Sequence, residues 1–215
     1  MQATLRVITP PAVQAVDLDF AIRHARIDSD AERDLFAMYL DSATALVEKY
    51  LGRALITQTL RWSVSETRPN GSWPFPYPTY NTVPLAYVWT YRQLDSGIVE
   101  LPYSPVQSIV TVTRGEWTAG DTTLVDGVDF DADLGSEPAR LRLRFGYSSA
   151  AYNHLAVTYT AGYGDDPTSI PKPITNAVLM TALNLYENRG DEDKGGMSKA
   201  VQNLLTPYRI YTYGR

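Results

Sequence analysis

Two histidines, His24 and His154, and the complete absence of cysteine limit the chemistry this chain can offer. His24 falls in a predicted helix and His154 beside a predicted strand, with no metal-ligand spacing between them, so each reads as a surface or hydrogen-bonded side chain. Without cysteine there is no disulfide, no thiolate metal site and no cysteine nucleophile. The run "AGYGDDP" at residues 161–167 has the look of a phosphate or calcium loop. It lacks the second glycine and lysine of the first and the alternating oxygen ligands of the second, so a turn ahead of a helix accounts for it better. The acidic pairs Asp165-Asp166 and Asp191-Glu192 are neighbours in predicted loops. Working carboxylate pairs must instead be buried or face one another across a cleft. No G-x-S-x-G elbow and no H-E-x-x-H helix occurs. The residues therefore predict no catalytic site, no metal and no cofactor.

The elements that would position a functional surface fall into three zones by hydrophobic period. Residues 17–52 read as helical, 55–162 as strands and loops, and 171–206 as helical again. Asp17 caps a first helix with Leu18, Ala21, Ile22 and Ala25 on its apolar face. Ser29 and Glu32 have the spacing of a capping box for a second helix, whose stripe is Leu35, Met38, Tyr39, Ala43, Leu46, Val47, Tyr50 and Leu51. Gly52 stands where a left-handed cap belongs, so "EKYLGRAL" marks the exit into a strand. Alternating runs predict strands at 56–65, 106–114, 122–125, 140–145 and 155–161, in an antiparallel sheet or sandwich.

Residues 66–105 hold seven of the 14 prolines and eight of the 24 aromatic residues, so this stretch reads as a long loop or hairpin extension. Its Trp73, Phe75, Tyr77, Tyr80 and Trp89 suit contact with a partner, sugars or bases, or folding back on the chain's own sheet. Pro171 and Pro173 open a third helix. Its middle is apolar nearly all round, so Val178, Leu179, Met180 and Leu183 pack either into the chain's own core or against a neighbouring subunit. A short helix at 198–206 is ended by Pro207. Residues 208–215 then alternate as a strand does, with Tyr208, Ile210 and Thr212 on one face and Arg209, Tyr211 and Tyr213 on the other. Alone, such a segment is expected to be unpaired until a partner's sheet edge accepts it, unless it completes the chain's own sheet.

A chain of 215 residues with 44% hydrophobic residues can build a sizeable core. No window reaches the length of apolar residues a membrane span needs, and residues 1–6 are too polar for a signal peptide, so the chain is expected to be soluble and to act where it is made. A net charge of −5 argues against broad, sequence-independent binding to duplex DNA.

Four runs taken in order, "VEKYLGRALITQTL" (47–60), "LPYSPVQSIVTVT" (101–113), "VTYTAGYGDDPTSIPKPITNAVLMTALNLYENR" (157–189) and "LLTPYR" (204–209), resemble the head-tail connector (adaptor) proteins of tailed bacteriophages and phage-like gene transfer agents. The resemblance covers most of the chain outside 66–100. It implies an α+β protein: a helical module of three to four helices (1–54 and 171–206) with a β-rich elaboration (55–162) between the second and third helices, and an extended tail (207–215). It also implies a structural, non-enzymatic role in the virion or transfer particle, at the head-tail junction after assembly in the host cytoplasm. The protein would form a dodecameric ring beneath the portal protein and continue the DNA channel without gripping the double-stranded DNA. On the tail side it would meet a stopper or tail terminator, with no membrane involved. Residues 208–213 would engage the portal. The competing class is a carbohydrate- or receptor-binding module using the aromatic loop.

Overall fold

In the computed structural model, which describes residues 2–65, 97–116, 120–144, 154–189 and 196–210, the Oδ1 of Asp17 accepts the amide of Phe20 at 2.7 Å and starts α1, Leu18–Ala25. The helix closes at Arg26 in the left-handed region, where its amide returns to the Arg23 carbonyl. Next comes α2, Asp30–Leu51. Ser29 occupies the cap position, but its hydroxyl makes no capping bond, so the expected capping box does not form. Glu32 instead hydrogen-bonds the Tyr186 hydroxyl, which raises the phenol's pKa. A carboxylate engaged across the interface is not free to reach back along its own helix.

The chain divides into two compact units. One comprises Pro11–Gln58 with Gly162–Ile210, and contains α1, α2, α3 (Lys172–Glu187) and α4 (Lys199–Leu205). Its core draws on Phe36, Leu40, Ala43, Val47 and Leu51 of α2, on Ile174, Ala177, Val178 and Ala182 of α3, and on Val201 and Leu205 of α4. The two long helices therefore pack together, as their apolar stripes required. Tyr186 meets the rings of Phe36 and Tyr39 edge-on, with centroids 5.4 and 6.0 Å away. The buried stripe of α2 is rotated from the expected one: Met38 and Leu46 are 67% and 39% exposed, and Phe36 and Leu40 are inside. Apolar residues occupy so much of this helix that spacing alone admits either face. Thr181, fully buried on α3, satisfies its hydroxyl on the Ala177 carbonyl at 2.7 Å.

The other unit holds Met1–Pro10 and Thr59–Ala161. Its five-stranded sheet has the order β1-β2-β8-β4-β5, formed by Gln2–Thr9, Gln58–Ser65, His154–Ala161, Val106–Glu116 and Gly120–Leu124. A three-stranded sheet has the order β3-β7-β6, from Ile98–Glu100, Arg140–Leu143 and Phe130–Asp133. The pairings β1–β2, β4–β5, β4–β8, β3–β7 and β6–β7 are antiparallel. The architecture is α+β, with the sheets inserted between α2 and α3. Residues 2–9, which the resemblance assigned to the helical module (1–54), pair with β2 instead: the alternation of "QATLRVIT" is too weak to announce a strand until β2 supplies the ladder. Short β3 and β6 were likewise unmarked. Leu60, Trp62, Val64, Val112, Leu141, Leu143, Leu155 and Val157 are buried, and so is Tyr159, whose hydroxyl donates to the Pro102 carbonyl and whose pKa burial raises. Among the described residues no helix is long and apolar enough to cross a membrane.

Candidate docking site at the end of the second helix

The end of α2 gathers four pieces of chain. Gly52, at φ +67°, turns the backbone out of the helix and returns its amide to the Glu48 carbonyl at 2.9 Å. The Glu48 side chain leans forward over the same end, where its Oε1 accepts the Leu55 amide at 2.8 Å and the Gln58 Nε2 at 3.2 Å. Burial raises its pKa, against the lowering effect of these two bonds. Arg53, only 8% exposed, donates from Nε to the Tyr208 carbonyl at 2.6 Å and holds its guanidinium 5.9 Å from the Tyr163 ring centroid. The Ile210 amide then donates to the Leu51 carbonyl at 2.9 Å, meeting one of the acceptors that a helix end leaves without an intrahelical partner. The Arg209 guanidinium lies 4.6 Å from the Tyr50 ring centroid.

Two bonds and a cation–π contact thus tie residues 208–210 to this end of α2. Tyr208 is not on a strand: Thr206–Tyr208 is a 3-10 turn that continues α4. Pro207 is compatible with this because a proline in the first turn loses no needed donor and its fixed φ suits the geometry. Tyr211, Thr212 and Tyr213 lie outside the described residues, as do Trp73, Phe75, Tyr77, Tyr80 and Trp89. Of the α3 residues offered to a neighbouring subunit, Val178 and Leu179 are covered by the chain's own core, Leu183 is half-buried, and Met180 is exposed. Sequence reasoning missed Glu48 and Arg53. Their only signal is two charged residues flanking a helix-ending glycine.

Ionisation of Glu48 has a testable consequence. Its folded pKa lies above its unfolded value, so the folded state binds the proton more tightly, and stability from this group is lost as pH rises through the raised value. Glu48→Gln keeps an oxygen for both donors and removes the titration. Urea unfolding is expected to show this variant gaining on the parent between pH 4.5 and pH 7. Glu48→Ala should cost about 1–3 kcal/mol by stranding the Leu55 amide and the Gln58 side chain. An equal Glu48→Gln effect at both pH values would contradict the burial argument.

On the three-stranded sheet Arg140 pairs in register with Glu100 and Asp133, and Arg142 with Asp131. Arg144 grips Asp131 with two bonds, 2.9 Å from Nε and 2.6 Å from Nη2, which lowers the carboxyl pKa. The row of arginines that could attract phosphates is answered strand by strand with carboxylates. The Nδ1 of His154, a partly buried side chain, lies 3.5 Å from the Asp121 carboxylate. Asp166 accepts the Thr168 amide at 2.7 Å, so "AGYGDDP" is a turn leading into a 3-10 turn at Pro167–Ser169. Among the described residues no group of three or more His, Cys, Asp or Glu side chains is arranged to hold a metal.

The fold has counterparts among solved structures. A chain in the neck of an empty gene transfer agent particle, computed with sixfold symmetry, superposes with a TM-score of 0.67 at 19% identity, over 97% of this chain and 96% of that one. This chain shares the fold of a gene transfer agent neck chain. A chain in the virion of a native gene transfer agent particle gives 0.70 at 19% identity, and one in the neck of a native particle, computed with twelvefold symmetry, gives 0.62 at 20%, each over the same shares of the two chains. At such identities the likeness is one of fold. No protein-family model and no curated protein matches the chain.

Proposed function

We propose that the chain is a structural assembly protein of a gene transfer agent or tailed-phage particle, a head-tail adaptor that works without turnover. The observation that carries this reading is the fold shared with a neck chain over 97% of the sequence, insertion included. Copies form a ring, twelvefold in its simplest form, beneath the portal protein. The ring continues the DNA channel and receives the stopper or tail terminator. Acidic net charge and the neutralised arginine rows suit a passage that DNA crosses without being held. The bond from Arg53 to the Tyr208 carbonyl and that from the Ile210 amide to the Leu51 carbonyl fix where the carboxyl-terminal segment leaves the helical unit, and residues from Tyr208 to Tyr213 make the portal contact.

The experiment is removal of Tyr211–Arg215, which leaves the described anchor intact. The shortened protein is expected to fold normally while particles fill with DNA and fail to join tails. Normal yields of tailed particles would overturn the portal role. Fluorescence anisotropy with duplex DNA at physiological salt should show binding no tighter than about micromolar. Nanomolar binding would sink the passive channel.

A further inference from the structure

We propose that copies of this chain join through their sheets, the outer edge of β1 in one copy pairing with the outer edge of β5 in the next. The proposal rests on the ring reading above and deepens it. In the order β1-β2-β8-β4-β5 these two strands are the ends of one sheet, and among the described residues each is paired on one side only. An unpaired edge presents a row of amides and carbonyls ready to accept another strand, and proteins that remain monomeric cover or blunt such edges. Here β1 is eight residues long, contains neither proline nor lysine, and leaves Val7 and Ile8 55% and 53% exposed. Its pairing with β2 is regular from Gln2 to Val7 before the register shifts, so the run matches the five residues of β5.

The partner is a second copy because the two edges differ and complement each other. Arg6 is the charged residue of β1, and Asp121 that of β5. Joining β1 to β5 brings opposite charges together, whereas β1 to β1 or β5 to β5 sets like charges side by side. Asp121 also faces His154, yet its side chain remains 49% exposed and within reach of a neighbour. A contact between two different edges is heterologous, and a heterologous contact generates a ring when its rotation closes. The cyclic symmetries used for the necks of similar fold require a contact of that kind rather than a two-fold one.

The lack of native cysteines makes the test direct. Cysteines are placed at Thr4, Leu5 or Arg6 in combination with Thr122→Cys, which covers both strand faces and a one-residue slip. Within one chain the two strands are four spacings apart, about 19 Å, and disulfides need Cα atoms within about 7 Å. Any bond must therefore join two copies. Rings are first verified by native mass spectrometry and electron microscopy, then oxidised and run on a denaturing gel. At least one double variant is expected to give a covalent ladder, the single variants none, and a mixture of the matching singles dimers only. Rings that never cross-link overturn the edge pairing and leave the ring reading standing. Dimers from Thr4→Cys alone would show β1 meeting β1 and overturn it too. Failure to form rings under any condition overturns both.

Discussion

Replacing Gly162 by alanine is expected to destabilise the helical unit by about 4 kcal/mol, a large share of the 5–15 kcal/mol that holds most domains together. A Cβ built at this position falls 2.5 Å from the Ile56 carbonyl carbon and 2.5 Å from the Thr57 amide nitrogen. Both neighbours are backbone, so no side chain can swing aside, and the two segments are further tied by the bond from the Thr57 amide to the Gly164 carbonyl at 3.0 Å. The φ of +143° adds a conformation that L side chains rarely adopt. Gly127 separates the two costs, because it shares a positive φ of +76° but has nothing within 4 Å of its would-be Cβ. Gly127→Ala should cost about 1 kcal/mol, the conformational part alone. The pair is compared by urea unfolding and by melting temperature, where Gly162→Ala should lower the transition of the 215-residue chain by roughly 8–16 °C. Equal effects from the two substitutions would show that the close approach of residues 56–57 is not what the glycine serves.

Arg53→Ala should cost about 3 kcal/mol and loosen the carboxyl-terminal segment at the same time. The side chain is buried, so its removal takes away packing as well as charge. It also takes away a charge-assisted bond to the Tyr208 carbonyl, worth about 1.5–3 kcal/mol, and the approach to the Tyr163 ring, worth about 0.5–1 kcal/mol. Lysine keeps the charge but offers no donor at the Nε position, so Arg53→Lys should recover less than half of the loss. Two readouts are needed: urea unfolding for stability, and limited proteolysis of the folded protein for the release of residues 208–210. If Arg53→Ala lowers stability without exposing the carboxyl-terminal segment to protease, the arginine is a core residue and not the clasp of that segment.

Much of the helical unit was legible because the signals there are local. The Asp17 cap, the Gly52 turn and the proline-opened third helix each depend on a few neighbouring residues whose geometry is the same in most surroundings. The alternation of Leu141 and Leu143 with Arg140 and Arg142 likewise gave both the strand and its buried face. Ser29 and Glu32 show the limit of such reasoning. Their spacing promised a reciprocal cap, and a tyrosine more than a hundred residues away took the carboxylate instead. Tyr208 shows it again, since the alternation that read as a strand belongs in part to a 3-10 turn held by Arg53.

Local signals were therefore enough for most of the elements, helices marked by their caps and strands by their alternation, and for a residue inventory of two histidines and no cysteine. Those properties depend on residue type and on separations of a few positions. Tertiary structure alone decided which side of α2 is buried, that residues 2–9 complete a sheet, and that Glu48, Arg53, Tyr163 and Ile210 meet at one helix end. Each of these depends on what a distant segment offers in return: a core for Phe36 rather than Met38, a ladder for a weakly patterned strand, and a carbonyl for a buried guanidinium. Hydrophobic burial and hydrogen bonds between remote residues are settled by the competition among all segments at once, and no local window contains that competition.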